Sequence, residues 1–494
     1  MINSNKKHDF KLLNSLASGL LAGVYPALYY CDKNFAMVNS TEHLIFFSTY
    51  FLILPGLLSL SISIFLTKIR LQQYVPQVNS FIGFFFFWSS INYLFLSGKR
   101  QFLLYIFILI TSCIYSYFLK KHHPKFMLIQ VILVILAGFS LISTFYTNYS
   151  ISSDWKKHSD SISNIKFKHL PNVYLLQPDG YVNFSELSKG YYDYEDADFE
   201  DYLSKKGFTN YSEFRSNYIS TLTSNSSLFM MKHHAYFNIP NYSDVIDYRK
   251  HIISENTVLS IFKNNGYETH FISEKPYLLA NYPKLGFDSA NFSYDEFGPI
   301  LKWDAKSARI ENSLKTKITE VKKTPQFYFL EFFNPSHIST WEKYSKGKAE
   351  ERALWINRKE NANTTLRTLI DTILNQDPTA LILILSDHGG FVGLDYTMQI
   401  KKKTDDRDLI YSMFSSQLSI LWPEELEDGK ELEIKSSINV FRYIFSQLAK
   451  KESLLNHLEL DESYIILDDN EYKGVYTYIN EKGGIVFKKT EPSK

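Results

Sequence analysis

Five long apolar segments in the first third of the chain constrain its fold more than any other feature. They fall at about residues 13–31, 42–67, 78–97, 102–119 and 126–146. Each is near the roughly 20 residues that a helix needs to cross about 30 Å of hydrocarbon. The first segment follows Lys6 and Lys7 as a signal peptide would, but no clear small-residue cleavage site follows it. The sequence therefore predicts a bundle of five transmembrane helices, with the first one retained.

The positive charges between the spans predict the orientation of the bundle. Basic residues occur in the N-terminal tail, in the loop of Lys68 and Arg70, and in the loop 120–125. Loops rich in Lys and Arg stay in the cytoplasm. The loops near Asp32-Lys33 and Lys99-Arg100 would lie on the opposite face. With five spans, we expect everything after about residue 147 to lie outside the cytoplasm.

A second kind of domain begins where the apolar segments end. We assign residues 1–147 to the membrane domain, the polar stretch 148–170 to a linker, and residues 171–494 to an exported domain. In the exported domain, short apolar runs alternate with helical patterns, which predicts an α/β fold whose largely parallel sheet is flanked by helices.

The predicted elements of the exported domain are short. The strands are 172–176, 268–272, 326–332 and 380–385, and the helices include 198–206, 258–265 and 355–374. The tail, about 465–488, alternates as a terminal hairpin would, with turns at Lys473-Gly474 and Gly483-Gly484.

Composition excludes several functions. The formal net charge is only +1, and no basic stripe interleaved with aromatic residues indicates a nucleic-acid partner. Both cysteines, Cys31 and Cys113, lie in apolar segments, so the exported domain has neither a disulfide nor a cysteine nucleophile. The spans carry no obvious ionisable residue at their centres, which argues against transport.

Two predicted strands run into an acidic residue followed by glycine. One leads into Asp179-Gly180, and the other into Ser386-Asp387-His388-Gly389-Gly390. Ligands of parallel α/β sheets gather beyond the carboxyl ends of the strands, and carboxylates with an imidazole suit zinc or manganese. Asp179-Gly180 taken alone is more simply interpreted as a turn. The Asp387-His388 pair at a strand end favours a metal site.

A dense run of hydroxyl residues, 216–227, lies between these two strands in the sequence. Its simplest interpretation is a Ser/Thr cap at a helix N-terminus. A hydroxyl in that position also lies at the positive end of the helix dipole, which favours an alkoxide and an incoming phosphate. The two interpretations are compatible.

The exported domain resembles the alkaline phosphatase and sulfatase superfamily, in its membrane-anchored branch of lipoteichoic-acid synthases and phosphoglycerol or phosphoethanolamine transferases. The resemblance covers about 171–465. The motifs that carry it follow the family's order and lie at 171–181, 199–208, 258–272, 327–337, 381–389 and 437–442.

The resemblance implies a bacterial enzyme with an alkaline-phosphatase-like fold and one divalent metal ion, zinc or manganese. Matching positions make Asp179, Asp387 and His388 metal ligands, the nucleophile a fourth ligand, and His337 a substrate-binding residue. The family nucleophile has a serine three residues later, which fits Thr221 with Ser224 and also Thr223 with Ser226. The preceding Ser-Asn-Tyr resembles one bacterial subgroup, which favours Thr221 over Thr223.

Two departures from the superfamily pattern reduce the number of reactions that we expect. The Cys/Ser-x-Pro-x-Arg motif of true sulfatases is absent, so sulfate-ester hydrolysis is not expected. The extra histidines that hold a second metal in alkaline phosphatase are also missing, because only His457 follows His388.

We expect a phosphotransferase that moves a phosphoglycerol- or phosphoethanolamine-type group from a membrane lipid to an envelope glycan or lipid, through a phospho-threonine. Two alternatives remain at this stage. If water is the acceptor, the same site is a phosphodiesterase. The chain could also be a non-catalytic membrane partner of polysaccharide assembly.

Overall fold

The computed structural model describes residues 2–96, 101–149, 153–234, 247–300, 307–319 and 323–490. Contacts divide the chain into two units: Met1–Ser150 with Ala280–Tyr282, and Ile151–Leu279 with Pro283–Lys494. The proposed linker and the boundaries at 147 and 170 remain predictions.

The first unit is helical. Its helices are α1 (Ile2–Lys33), α2 (Thr41–Phe47), α3 (Leu54–Lys68), α4 (Val75–Phe95), α5 (Gln101–Phe118) and α6 (His123–Tyr149). A π-helical segment, Ser48–Ile53, joins α2 to α3, so both belong to one span, Thr41–Lys68. Among the described residues, five helical stretches are long and apolar enough to cross a membrane. The five predicted apolar helices are confirmed, whereas the side on which each loop lies remains a prediction. Lys99 and Arg100 lie outside the described residues.

Small polar side chains join the helices of this unit. Asn79 on α4 accepts hydrogen bonds from Ser59 and Ser63 of α3 at 3.1 and 3.2 Å, and donates to Ser15 of α1 at 2.8 Å. Such bonds between helices are a usual source of stability where neither water nor hydrophobic burial can supply it.

The second unit is built on a seven-stranded sheet in the order β2-β7-β6-β1-β5-β3-β4. The strands are β1 (Val173–Pro178), β2 (Thr209–Asn210), β3 (Glu268–Ser273), β4 (Ser289–Ala290), β5 (Gln326–Phe332), β6 (Leu381–Leu385) and β7 (Leu418–Leu421). The five strands from β6 to β4 are parallel, β7 is antiparallel to β6, and β2 pairs antiparallel with β7 at the edge. The four predicted strands and the largely parallel sheet are therefore confirmed.

Helices cover both faces of this sheet. They are α7 (Phe184–Leu187), α8 (Ala197–Lys205), α9 (Thr221–Met230), α10 (Thr257–Asn264), α11 (Ile310–Ile318), α12 (Lys348–Gln376), α13 (Arg407–Phe414) and α14 (Val440–Ala449). Side chains alternate along β1, because neighbouring residues of a strand point to opposite faces. Val173 and Leu175 enter a core with α9, α10 and α14, whereas Tyr174 and Leu176 enter a second core with α8, α11 and α12.

The C-terminal segment differs from the predicted hairpin. It forms three antiparallel strands, β8 (Ser463–Asp468), β9 (Lys473–Ile479) and β10 (Ile485–Lys489). The turn expected at Lys473-Gly474 is wrong, since both residues belong to β9. Asp469 makes the turn instead, because its Oδ1 accepts the backbone N–H groups of Glu471 and Tyr472. The second turn lies at Gly483, as predicted.

Candidate metal centre

The two acidic turns lie together at the carboxyl edge of the sheet. Asp179 directly follows β1, and Asp387 and His388 follow β6, which is the hydrogen-bonded neighbour of β1. All three side chains are buried, and each offers a ligand atom within 4.8 Å of the others. The structure thus brings together the three residues that the sequence singled out for a metal.

The imidazole of His388 faces both carboxylates. Its Nε2 lies 3.3 Å from Asp179 Oδ1 and 3.4 Å from Asp387 Oδ2. Its Nδ1 lies 2.8 Å from the carbonyl oxygen of Gly389, to which it donates. This bond fixes the ring and leaves Nε2 as the ligand atom, the arrangement that metal-binding histidines usually have.

Two carboxylate oxygens of the cluster lack a hydrogen-bond donor among the described residues. Asp179 Oδ1 and Asp387 Oδ2 are buried and accept no hydrogen bond from the residues that the structure describes. A buried charge without a partner is costly. A divalent cation between them would remove that cost, and two carboxylates with one imidazole are suitable ligands for zinc or manganese. The residues therefore fit a single divalent ion.

The electrostatics of the cluster also favour a bound cation. Burial, and then the charge of the neighbouring Asp387 carboxylate, raise the pKa of Asp179 to about 7. Burial acts to lower the pKa of His388, but the carboxylates of Asp387 and Asp179 outweigh it and raise that pKa. The cluster thus holds an excess of negative charge that a proton or a cation must neutralise.

Close packing explains the glycine that follows His388. A Cβ on Gly389 would lie 2.1 Å from the carbonyl oxygen of Ser412. The Gly389 N–H donates to Met413, which ties the turn to the end of α13. Any larger residue would push the turn away from the carboxylates.

His337 lies beside the cluster. It follows β5, and its ring centroid is 6.3 Å from that of His388. Its Nδ1 lies 2.7 Å from the carbonyl oxygen of Ile338, to which it donates, so that Nε2 carries the lone pair. Burial lowers the pKa of His337 to about 4. The residue is therefore a neutral hydrogen-bond acceptor near pH 7.

The two candidate nucleophiles differ in their surroundings. Thr221 is the first residue of α9, and Ser220, its N-cap, makes no side-chain bond to the backbone of the first turn. Thr223 is buried, and its hydroxyl donates to the carbonyl of Ser220 over 3.1 Å. Ile219 packs on the apolar cluster of Phe391, whose ring contacts both His337 and His388.

The sequence motifs did not identify two further polar residues near the cluster, Glu331 and Arg358. Glu331 on β5 is buried, and neither of its carboxylate oxygens has a hydrogen-bond partner among the described residues. Burial, and then the charges of Asp387 and Asp179, raise its pKa well above the usual range. A lone Glu inside the apolar run 327–333 was the signal that could have found it. Arg358 on α12, which bonds the loop of His337, gave no comparable signal.

Comparison with protein families matches residues 185–445 to the family described as Sulfatase. The matched segment includes Thr221, His337, Asp387 and His388 but begins after Asp179. A comparison with curated protein sequences gave no significant match.

Comparison with solved structures matches an integral membrane transferase, a periplasmic domain and a synthase, each with a TM-score below 0.5. The integral membrane lipooligosaccharide phosphoethanolamine transferase A of Neisseria meningitidis is 13% identical, with a TM-score of 0.40 over 89% of this chain and 95% of its own. The C-terminal periplasmic domain of EptC from Escherichia coli is 13% identical, with a TM-score of 0.41 over 63% and 95%. The lipoteichoic acid synthase LtaP of Listeria monocytogenes is 10% identical, with a TM-score of 0.41 over 66% and 90%.

Proposed function

Because the chain belongs to the sulfatase family, we propose that it is a metal-dependent phosphotransferase of a bacterial cytoplasmic membrane. In this proposal the α/β unit lies on the periplasmic or extracellular side, and the group moved is phosphoglycerol or phosphoethanolamine. The donor is a membrane lipid, and the acceptor is an envelope glycan or lipid. The absence of the sulfatase motif supports phosphoryl rather than sulfuryl chemistry.

The buried cluster of Asp179, Asp387 and His388 carries the proposal. Two carboxylate oxygens that accept no hydrogen bond from the described residues lie beside an imidazole nitrogen, and together they are a suitable site for one zinc or manganese ion. When bound, such an ion lowers the pKa of a coordinated hydroxyl and neutralises charge on phosphoryl oxygens. Thr221, as the fourth ligand, would supply that hydroxyl.

Thr221 is the nucleophile in this mechanism. Its oxygen forms a bond to the donor phosphorus while the bond from phosphorus to the lipid oxygen breaks, and the lipid alcohol leaves with the proton that the Thr221 hydroxyl gives up. The N-terminus of α9 contributes partial positive charge where phosphoryl oxygens gather, because Ser220 leaves the first turn uncapped by its side chain. The product of this half-reaction is a phosphodiester on Thr221.

The second half-reaction reverses the first with another alcohol. The neutral His337 accepts a hydrogen bond from the hydroxyl of the acceptor at Nε2 and so orients it. The acceptor oxygen bonds to phosphorus, the bond from phosphorus to Thr221 breaks, and the proton of the acceptor passes to the Thr221 oxygen. Transfer to water instead would make the protein a phosphodiesterase, which the same residues would support.

Metal analysis of the full-length protein in detergent tests the site. About one equivalent of zinc or manganese is expected, and Asp387→Asn should lose it, because a ligand contributes most of its binding energy through its charge. Asp371→Asn, an exposed carboxylate on α12, is the matched control and should keep the metal. Active protein without metal would overturn the proposal.

Mass spectrometry of protein incubated with donor lipid tests the nucleophile. The adduct is expected on Thr221, and Thr221→Ala should abolish turnover while leaving the fold intact. Thr223→Ala should retain turnover and lose only a local hydrogen bond, at a cost of about 1 kcal/mol. An adduct on Thr223 would reverse the assignment. Release of free phosphoalcohol without an acceptor product would favour the phosphodiesterase.

A further inference from the structure

The loop that carries His337 is held by one helix. Three consecutive carbonyl oxygens of this loop accept hydrogen bonds from side chains of α12. Arg358 Nε donates to Pro335 over 2.7 Å, Trp355 Nε1 donates to Ser336 over 2.9 Å, and Arg358 Nη2 donates to His337 over 3.1 Å. A single guanidinium therefore spans the loop on both sides of Ser336.

The backbone of the loop also contacts the two turns that carry the candidate metal ligands. The Ser336 N–H donates to the carbonyl of Asp179 over 2.7 Å, and the Ile338 N–H donates to the carbonyl of Gly390 over 3.1 Å. The loop thus lies between α12 and the two strand ends that present the carboxylates. Its own backbone is irregular, so these side-chain bonds fix its position.

We infer that Arg358 is a positioning residue, which holds the loop 335–337 so that His337 meets the acceptor hydroxyl. The inference rests on the proposed function, in which His337 accepts a hydrogen bond from the hydroxyl of the acceptor. The guanidinium suits this task because its planar fork fixes two acceptors in direction as well as distance. Lysine, with a single nitrogen, cannot hold both carbonyls in the same geometry.

A purely structural role would predict a different result. If Arg358 only stabilised the fold, its removal would lower stability and affect every step alike. If it positions His337, its removal should lower kcat, leave KM and bound metal nearly unchanged, and matter only while His337 is present. A misplacement of about 1 Å in such a group lowers the rate on the order of 10²-fold.

A double-mutant cycle in the full-length protein separates these cases. Arg358→Gln should lower kcat on the order of 10²-fold, Arg358→Lys should recover part of it, and Arg358→Gln should have no further effect in His337→Ala. The matched control is Arg367→Gln on the same helix, because Arg367 Nη2 also bonds a backbone carbonyl, that of Asp198 at 3.1 Å. The Arg367→Gln variant should leave kcat unchanged. Additive effects of the Arg358 and His337 variants would overturn the inference.

Hydrogen exchange gives a readout that does not depend on turnover. Arg358→Gln should speed exchange of the Ser336 and Ile338 amides, measured on the peptide around 333–341, while Arg367→Gln should leave that peptide unchanged. Unchanged exchange in Arg358→Gln would overturn the inference even in active protein. If the wild type shows no transfer while exchange responds as expected, the proposed function fails and the positioning of the loop stands.

Discussion

The backbone of Gly180 lies directly against that of Ser336. Gly180 has a φ of +67°, and a Cβ built on it would lie 2.4 Å from the carbonyl oxygen of Ser336. The same glycine donates its N–H to Asp387 Oδ1 over 3.1 Å. Gly180 thus connects the turn of Asp179 to the carboxylate of Asp387 and to the loop of His337.

Gly180→Ala should therefore damage the metal centre. The new methyl group would clash with rigid backbone, and alanine disfavours a positive φ. We expect loss of bound metal and a lower apparent unfolding temperature. Gly298→Ala is the control, because a Cβ there would meet nothing within 4 Å. Normal metal content in Gly180→Ala would contradict the close approach.

The buried ion pair of Lys359 and Asp196 should be sensitive to loss of one partner. Their side chains are 0% and 6% exposed, and Lys359 Nζ also donates to the Tyr181 hydroxyl over 3.0 Å. Lys359→Met leaves a buried carboxylate unpaired, so we expect the free energy of unfolding to fall by about 3–5 kcal/mol. Chemical denaturation followed by fluorescence measures this change.

An exposed lysine provides the comparison for that prediction. Lys206 pairs with Asp371 at 2.6 Å, but the two side chains are 36% and 48% exposed. Lys206→Met should cost no more than about 1 kcal/mol. The double variant Lys359→Met/Asp196→Leu should recover most of the lost stability, since it removes the unpaired charge as well. If Lys359→Met behaves like Lys206→Met, the buried pair contributes little.

Acid should destabilise the α/β unit partly through His251. Burial, and then the charges of Lys156 and Lys250, lower the pKa of His251 to about 3 in the folded protein. An unfolded histidine titrates near about 6.5. Between these values the unfolded chain binds a proton that the folded chain does not, so stability falls as the pH falls. The expected slope is about 1.4 kcal/mol per pH unit from this residue alone.

His251→Phe should flatten the pH dependence of unfolding below about pH 6.5, because it removes the group that takes up the proton. Phenylalanine also keeps a ring against Trp155, whose ring centroid lies 5.2 Å from that of His251. Apparent unfolding temperatures from pH 4 to 8 measure the slope. His457→Phe, at an exposed position, is the control and should keep the wild-type slope. An unchanged slope in His251→Phe would contradict the prediction.

The charge pattern predicts which side of the membrane the α/β unit occupies. A reporter that works only in the cytoplasm should be inactive when fused after residue 160, because five spans and the positive-inside rule place that point outside. The same reporter fused after residue 122, in the basic loop, should be active. Activity at residue 160 would mean that the number of spans or their direction is wrong.

Local signals in the sequence were enough to predict the architecture. Four strands of the parallel sheet were found because both of their faces are buried, which produces continuous apolar runs such as 381–385. The spans are predicted for a different reason, because each is apolar over a length that can cross a membrane. The tail was placed less well, because alternation over 465–488 does not reveal which residues turn and which pair.

The candidate centre was predicted only as separate motifs. Asp179 and the Asp387-His388 pair each follow a strand, and adjacency of the two strands in the sheet brings them together. Whether β1 and β6 are neighbours depends on strand order, which a single sequence does not contain. The choice between Thr221 and Thr223 likewise depends on which hydroxyl the first turn of α9 buries.

The sequence by itself determined the five apolar helices, the α/β class and the types of ligand, since periodicity and residue chemistry are local properties. Only the tertiary structure decided that Glu331 is buried beside the carboxylates with no hydrogen-bond partner among the described residues, and that Arg358 bonds the loop of His337. These are relations between residues far apart in the chain. They arise from how β5 and α12 pack, which is settled by the burial of many side chains together rather than by any short segment.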